Sequence, residues 1–260
     1  MDMKIIHVSK KYSDDQMEQK YANTFVKPSQ IDQIFNESVD VYSEEGELLV
    51  RFRKGVLPKR QQKEFYDATY DFTIQAVTGN RGQATGSKTK DIYHNPRVYS
   101  AILGYFDRWA PKQKIQLKQF GKNKPLEVRE TRFSMEQPHK YKQIFPLVQR
   151  ISQLYQSLLP DYFKKQNKKA KQTLFKIPKT CFTTITTNIN FQTSIHKDRG
   201  DDDEGFGNLA VMERGKYEGG ETCLPQYGFG VNVREGDLLF MNVHEWHGNL
   251  PIVIKDKDAV

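Results

Sequence analysis

Only two cysteines occur in 260 residues, Cys181 and Cys223. They are too few for a disulfide framework and form no Cys-x-x-Cys pair. Reduced thiols in an intracellular, cytoplasmic protein are expected. No apolar run approaches the roughly 18 residues that a membrane-spanning helix needs. The opening MDMKIIHVSKKYSDDQ has no apolar stretch of the signal-peptide kind, and a membrane partner is not expected. Internal repeats and low-complexity tracts are absent, and no Pro/Ser/Gly-rich linker divides the chain. A single domain acting as a monomer is therefore the expectation. Aromatic residues are not scarce: 16 Phe and 13 Tyr supply core material that a disordered chain lacks.

The net charge of +8 is unevenly distributed. Residues 181–260 hold 7 Lys/Arg against 13 Asp/Glu, which leaves 33 against 19 in residues 1–180. The basic residues cluster in PKQKIQLKQFGKNK (111–124) and KKQNKKAKQ (164–172). Either cluster alone reads as a solvated helix end or loop. The asymmetry between the two parts suits a polyanion-binding surface beside an acidic module.

Along the chain, VDVYSEEGELLVRFR (39–53) predicts two strands around a Glu-Gly turn. Phe65, Thr69, Phe72 and Ala76 recur at helical spacing and predict a helix over 59–77. TGNRGQATGSKTK (78–90) reads as a glycine-containing loop. NPRVYSAILGYFDRWA (95–110) reads as a second helix with Pro96 in its first turn. The longest helical region is 138–169, which Pro146 and Pro160 should divide. After Pro178 the composition turns to β-formers: TCFTTITTNINFQTSI, then NLAVME, ETCLP, GFGVNV, DLLFMNV and PIVIK between glycine-rich turns. Short strands at this spacing predict an antiparallel sandwich or barrel. The expected fold class is α+β, with a mainly helical, basic part (1–179) packed on a β core (180–260).

Chemistry is concentrated in NINFQTSIHKDRGDDDEGFGN, residues 188–208. If the strand continues to Asp198, then Asn188, Asn190, Gln192, Ser194, His196 and Asp198 share one face. His196 and Asp198, two apart, can both reach one metal ion. A third ligand is available in GDLLFMNVHEWHGN (236–249). Leu239, Met241 and Val243 alternate inward, and His247 continues their parity although Glu245 interrupts it. His244 lies on the opposite face. The pattern favours His247. Two histidines and one carboxylate form the facial set of non-haem Fe(II) oxygenases, which leaves three coordination positions open. Zinc prefers a closed tetrahedral set. The spacing from His196 through short strands to His247 fits a double-stranded β-helix of jelly-roll or cupin type. Asp201, Asp202, Asp203 and Glu204 are too many for one metal and read as a solvated loop.

The strings TTNINFQTSIHKDRGD and GFGNLAVMERGKYEGGETCLPQYGFGVNVREGDLLFMNVHEWHGN, with the upstream NRGQATG, resemble the TET/JBP family. The resemblance is to compact, single-domain, phage-type members and is concentrated in residues 180–254. It implies a dioxygenase using Fe(II), 2-oxoglutarate and O2 to hydroxylate the 5-methyl group of 5-methylcytosine in DNA. Thymine, giving 5-hydroxymethyluracil, is the alternative base. On this resemblance His196, Asp198 and His247 are the metal ligands. Gly219 and Gly220 match a turn before a strand that closes over the site, and Arg81 and Gly82 match an element near cosubstrate or nucleic acid. Asn188, Asn190 and Arg81 are candidates for cosubstrate, and Arg81, Gly82 and Gln192 for DNA. The polar strand residues could equally satisfy one another, and Arg81 could be a loop arginine. The substrate would be double-stranded DNA with its target base flipped out. The family also carries an arginine on a last strand beyond the distal histidine. No arginine follows His247 here, so the expectation is a sequence that continues past Val260. Lys255, Lys257 and Arg81 are substitutes, and a catalytically inactive β-helix that binds nucleic acid is the competing reading.

Overall fold

Residues 39–53 fold as the hairpin their alternation dictates, with the strand ends at Ser43 and Leu48. They belong to a computed structural model that describes residues 4–76, 99–107, 128–198 and 201–256. The strands, in chain order, are β1 (Lys4–Val8), β2 (Gln33–Phe35), β3 (Val39–Ser43), β4 (Leu48–Arg53), β5 (Tyr99–Asp107), β6 (Val128–Glu130), β7 (Thr184–Ile189), β8 (Gly207–Leu209), β9 (Tyr217–Gly219), β10 (Thr222–Leu224), β11 (Phe229–Val231), β12 (Leu238–Met241), β13 (Gly248–Asn249) and β14 (Ile252–Ile254). The α-helices among the described residues are α1 (Asp14–Gln16), α2 (Lys59–Gln75), α3 (Arg132–Glu136), α4 (Pro138–Gln143), α5 (Phe145–Leu158) and α6 (Pro160–Ala170). A π-helical turn, Met17–Tyr21, continues α1.

Among the described residues, four sheets organise the strands. The largest runs β1-β3-β4-β12-β8, and a second runs β13-β10-β11-β2. Leu49, Val50, Phe52, Leu239 and Met241 of the first share one buried cluster with Phe35, Leu224, Phe229 and Val231 of the second. Alternation along β12 explains how both of its faces are used. Leu239 and Met241 enter that inter-sheet cluster, while Leu238 and Phe240 enter a second cluster built with the helices. There Tyr155 of α5 stacks on Phe240 with ring centroids 5.6 Å apart, and both are fully buried. Burying an aromatic side chain of this size contributes about 1.5–3 kcal/mol. A three-stranded sheet, β6-β5-β7, and the pair β14-β9 complete the set.

Helix α2 and the division of 138–169 agree with the sequence reading. Pro146 and Pro160 each lie in the first turn of a new helix, where a missing N–H costs nothing. Three expectations need correction. Residues 99–107 form β5, not the middle of a helix, because β7 supplies a six-residue antiparallel partner from Tyr99↔Ile189 to Gly104↔Thr184. That partner lies far downstream and no local pattern announces it. Second, the part from 1 to 179 is more than helices packed on a separate β core, since beside α1 to α6 it contributes β1 to β6. Its β4 pairs with β12 and its β2 with β11, so the chain's two parts share their sheets. Third, the strand does not run to Asp198. It ends at Ile189, and Asn190 turns the chain with a left-handed φ of 47°. Cys181 and Cys223 are free and buried. Among the described residues, no helix is long and apolar enough to cross a membrane.

Candidate metal centre

Two sequence-distant segments meet to form the site. Where β12 ends, a turn leads through Trp246 to His247 and into β13, which pairs with β10. The segment after β7 returns alongside it. His196 and His247 exchange both backbone hydrogen bonds, each 2.9 Å, as an isolated antiparallel bridge. Two residues on, the Asp198 N–H donates to the Val243 carbonyl at 3.0 Å. This register puts the three side chains together. Ligand atoms of His196, Asp198 and His247 all lie within 4.8 Å of one another. His196 Nε2 is 3.4 Å from Asp198 Oδ1, and His247 Nε2 is 3.8 Å from Asp198 Oδ2.

The same local device orients both rings. His196 Nδ1 faces the Ser194 carbonyl at 2.7 Å, and His247 Nδ1 faces the Glu245 carbonyl at 2.9 Å. A carbonyl only accepts, so Nδ1 carries the proton and Nε2 keeps its lone pair for a cation. His247 is buried. Burial first, then the neighbouring His196, pushes its pKa down to about 4 against the opposing pull of Asp198. It is neutral at physiological pH, the form that binds metal. Ligands about 2.1 Å from one ion and at right angles stand about 3 Å apart. Closing the two histidine–carboxylate gaps to that spacing takes shifts of less than an ångström. Two imidazole nitrogens and one carboxylate on one side of an ion fit Fe(II) with open positions.

The scaffold around the triad comes partly from elements that local patterns do not reveal. Residues 23–25 run beside the His-x-Asp segment. The Asn23 N–H donates to Ile195 O and the Ile195 N–H to Thr24 O, both at 2.8 Å, and Phe25 bridges Ser194. Met17, Val26, Ile195, Cys223, Trp246 and Leu250 form the apolar cluster beneath. Lys197, between the two ligands, lays its ammonium 5.2 Å from the Trp246 ring centre and so ties one segment to the other. Asn249 Oδ1 accepts from both the backbone N–H and the hydroxyl of Thr193, at 2.6 and 2.9 Å. The His-Gly-Asn string was the one available signal for Asn249. Nothing local signals residues 17–26.

The remaining candidates fall as follows. His244 is held away from a ligand role, with Nδ1 3.1 Å from Asp198 O and Nε2 3.2 Å from Asp202 O. Asn188 and Asn190 are exposed at the end of β7 and beyond it, and Gln192 is half-buried. Gly219 has φ +78°, and a Cβ there would stand 1.9 Å from the Pro251 carbonyl oxygen. Only glycine fits under β14 at that point. Lys255 pairs with Glu218 at 2.8 Å. Arg81, Gly82, Lys257 and the basic stretch 111–124 lie outside the described residues. The acidic loop is exposed at Asp201, Asp203 and Glu204, but Asp202 is not simply solvated. Its carboxylate accepts from Lys169 at 2.9 Å. The second basic cluster of the sequence thus meets the acidic one.

Comparison with known proteins agrees with this geometry. Residues 118–259, more than half of the chain, match the Tet/JBP family, described as the oxygenase domain of the 2OGFeDO superfamily. The chain is 34% identical over 161 residues to thymine dioxygenase JBP1 of Trypanosoma brucei brucei, covering 62% of this chain and 18% of that protein. It is 31% identical over 154 residues to thymine dioxygenase JBP1 of Leishmania tarentolae, covering 59% and 17%. The aligned part is thus less than a fifth of the length of these relatives. A solved structure, NgTET1 in complex with 5mC DNA, shares the fold at a TM-score of 0.54 and 16% identity, over 93% of this chain and 81% of that one. The chain belongs to the Tet/JBP family of 2-oxoglutarate- and Fe(II)-dependent oxygenase domains.

Proposed function

We propose that the protein is a dioxygenase that hydroxylates the 5-methyl group of a pyrimidine in DNA, with thymine as the base. One observation carries the reading: two histidine Nε2 atoms and a carboxylate converge in a chain of the Tet/JBP family. Thymine takes precedence over 5-methylcytosine, the base placed first by the sequence alone, because the relatives at 34% and 31% identity are thymine dioxygenases. The proposed domain is a single one whose core is a double-stranded β-helix. The shared core of the two main sheets and the likeness to NgTET1 support that topology.

His196, Asp198 and His247 would hold Fe(II), the two rings through Nε2 and Asp198 through its carboxylate. Fe(II) with 2-oxoglutarate and O2 supplies an oxidant able to hydroxylate an unactivated methyl group. The chain's own part is to present lone pairs, balance charge and exclude water. Burial of His247 and the apolar cluster beneath it serve the last of these. Asp198 contributes the single negative charge, which leaves an iron–triad unit with a net positive charge for an anionic cosubstrate. A base in a duplex stack cannot reach such a centre, so the target nucleotide is flipped out. Exposed Lys164, Lys168 and Lys171 on and after α6 suit contact with phosphates. Asn188 and Asn190, being exposed, suit DNA better than a buried cosubstrate, while half-buried Gln192 suits the base edge. Arg81 and Gly82 remain proposed partners of cosubstrate or DNA.

The test is mass spectrometry of nucleosides from DNA incubated with the protein, Fe(II), 2-oxoglutarate and O2. Unmethylated DNA should yield 5-hydroxymethyluracil, and Asp198→Ala should yield none. 5-Hydroxymethylcytosine from methylated DNA alone would reassign the base. Neither product from iron-loaded protein would overturn the reading.

A further inference from the structure

Asp198 lies outside any strand, yet its carboxylate must sit between two histidines. Its N–H is fixed by Val243, which leaves the carbonyl side of its peptide to be held by something else. His244 does this. Its Nδ1 faces Asp198 O and its Nε2 faces Asp202 O, at 3.1 and 3.2 Å. A proton on either nitrogen makes a hydrogen bond to one side of the acidic loop. The His244 backbone is itself anchored, because its N–H donates to Asn242 Oδ1 at 3.1 Å.

Asp202 is the loop's second fixed point. Its carboxylate accepts from Lys169 of α6 at 2.9 Å and from the Glu204 N–H at 2.9 Å. Its carbonyl accepts the Gly205 N–H at 2.9 Å. Lys169 also lies 3.4 Å from Glu204 and Lys165 lies 3.7 Å from it. The loop's exit is pinned where the Phe206 N–H donates to the hydroxyl of buried Tyr155 at 2.9 Å. Exposed ion pairs add little to stability. The Asp202 side chain, however, is only 16% exposed and sits inside a hydrogen-bonded turn, so the pair fixes position more than it stabilises the fold.

We propose that His244, tethered through Asp202 to Lys169, is a positioning residue that sets Asp198 between the two histidines. This rests on the reading above that the triad holds Fe(II). Helix α6 then has two roles, since lysines on its other positions remain available for phosphate.

The experiment measures anaerobic Fe(II) affinity of the whole protein by chelator competition, without cosubstrate, and the visible bands of the Co(II)-substituted protein. Loss of a group that orients a ligand costs about 10–100-fold in metal affinity. His244→Phe, which keeps the ring but removes both nitrogens, should weaken Fe(II) binding about 10-fold and shift the Co(II) bands. His244→Gln, which keeps one donor, should recover most of both. Lys169→Ala, on the surface, should give a smaller loss that Lys169→Arg reverses. A folded His244→Phe protein binding Fe(II) within about twofold of wild type, far short of that range, would overturn the inference alone. If His244→Phe does not fold, unchanged affinity in Lys169→Ala overturns it. Wild type that binds no Fe(II) overturns the functional reading and this inference together.

Discussion

His247 stands at the proposed metal centre on the residue before β13, whereas His196 and Asp198 stand there on a segment that has no strand of its own. The His247 side is buried and continues directly into β13, paired with β10. The His-x-Asp side follows a left-handed turn at Asn190 and is held from outside. Residues 23–25 flank it, His247 bridges it, and His244 and Lys169 fix its exit. One half of the site is therefore set beside a paired strand and the other by side-chain and backbone contacts from several separate segments. Perturbations far from the triad should consequently act on His196 and Asp198 before they act on His247.

The largest expected effect ignores this asymmetry. Asp198→Ala or His247→Ala should lower turnover more than about 100-fold, beyond the cost of losing an outer partner. Steady-state product analysis checks it. The asymmetry appears one level out. Met17, fully buried under Ile195 and Trp246, and Leu49, fully buried between the sheets, should each cost about 2–5 kcal/mol on truncation to alanine. Only Met17→Ala should also weaken Fe(II) binding at equal folded fraction. Equal metal affinities in the two variants would remove the distinction drawn here.

A third expectation concerns pH. His247 in the folded state has its pKa lowered to about 4 from 6.5, by burial first and by His196 second. The unfolded chain therefore takes up a proton that the folded chain refuses, and stability rises with pH across that window. Metal-free protein should lose about 3 kcal/mol through this residue as pH falls from about 6.5 to about 4. Urea midpoints across that range measure it, and His247→Asn should flatten the slope. Smallest is Lys197→Ala, which removes the ammonium over Trp246. It should cost about 0.5–1 kcal/mol, read as a small shift in urea midpoint.

What the sequence disclosed follows the same division. That His196, Asp198 and His247 come together was legible from the His-x-Asp spacing and the distal histidine, their role as ligands being the proposal above, and Leu239, Met241 and Val243 do enter one cluster as their alternation says. The β3–β4 hairpin, α2 and the proline-divided helices were legible because their signals are local. Residues 99–107 were not. Their Ala-Ile-Leu run suits a helix or a strand, and β7, more than 80 residues downstream, decides between them. Residues 17–26 were silent because they act through Ser194 and Ile195, near the chain's other end. The charge runs 164–172 and 201–204 were each visible, and their pairing through Lys169 and Asp202 was not. Parity placed His244 on the face opposite His247, and no pattern showed what it does there. Its two carbonyl partners show that.

The central claim is that this triad is an Fe(II) site that takes 2-oxoglutarate. Anaerobic titration with Fe(II) and 2-oxoglutarate, followed by visible absorption, tests it most directly. A band that saturates at one iron per chain in wild type and is missing in Asp198→Ala is the predicted result. Absence of any band from wild type, or a band of equal strength in Asp198→Ala, would contradict it.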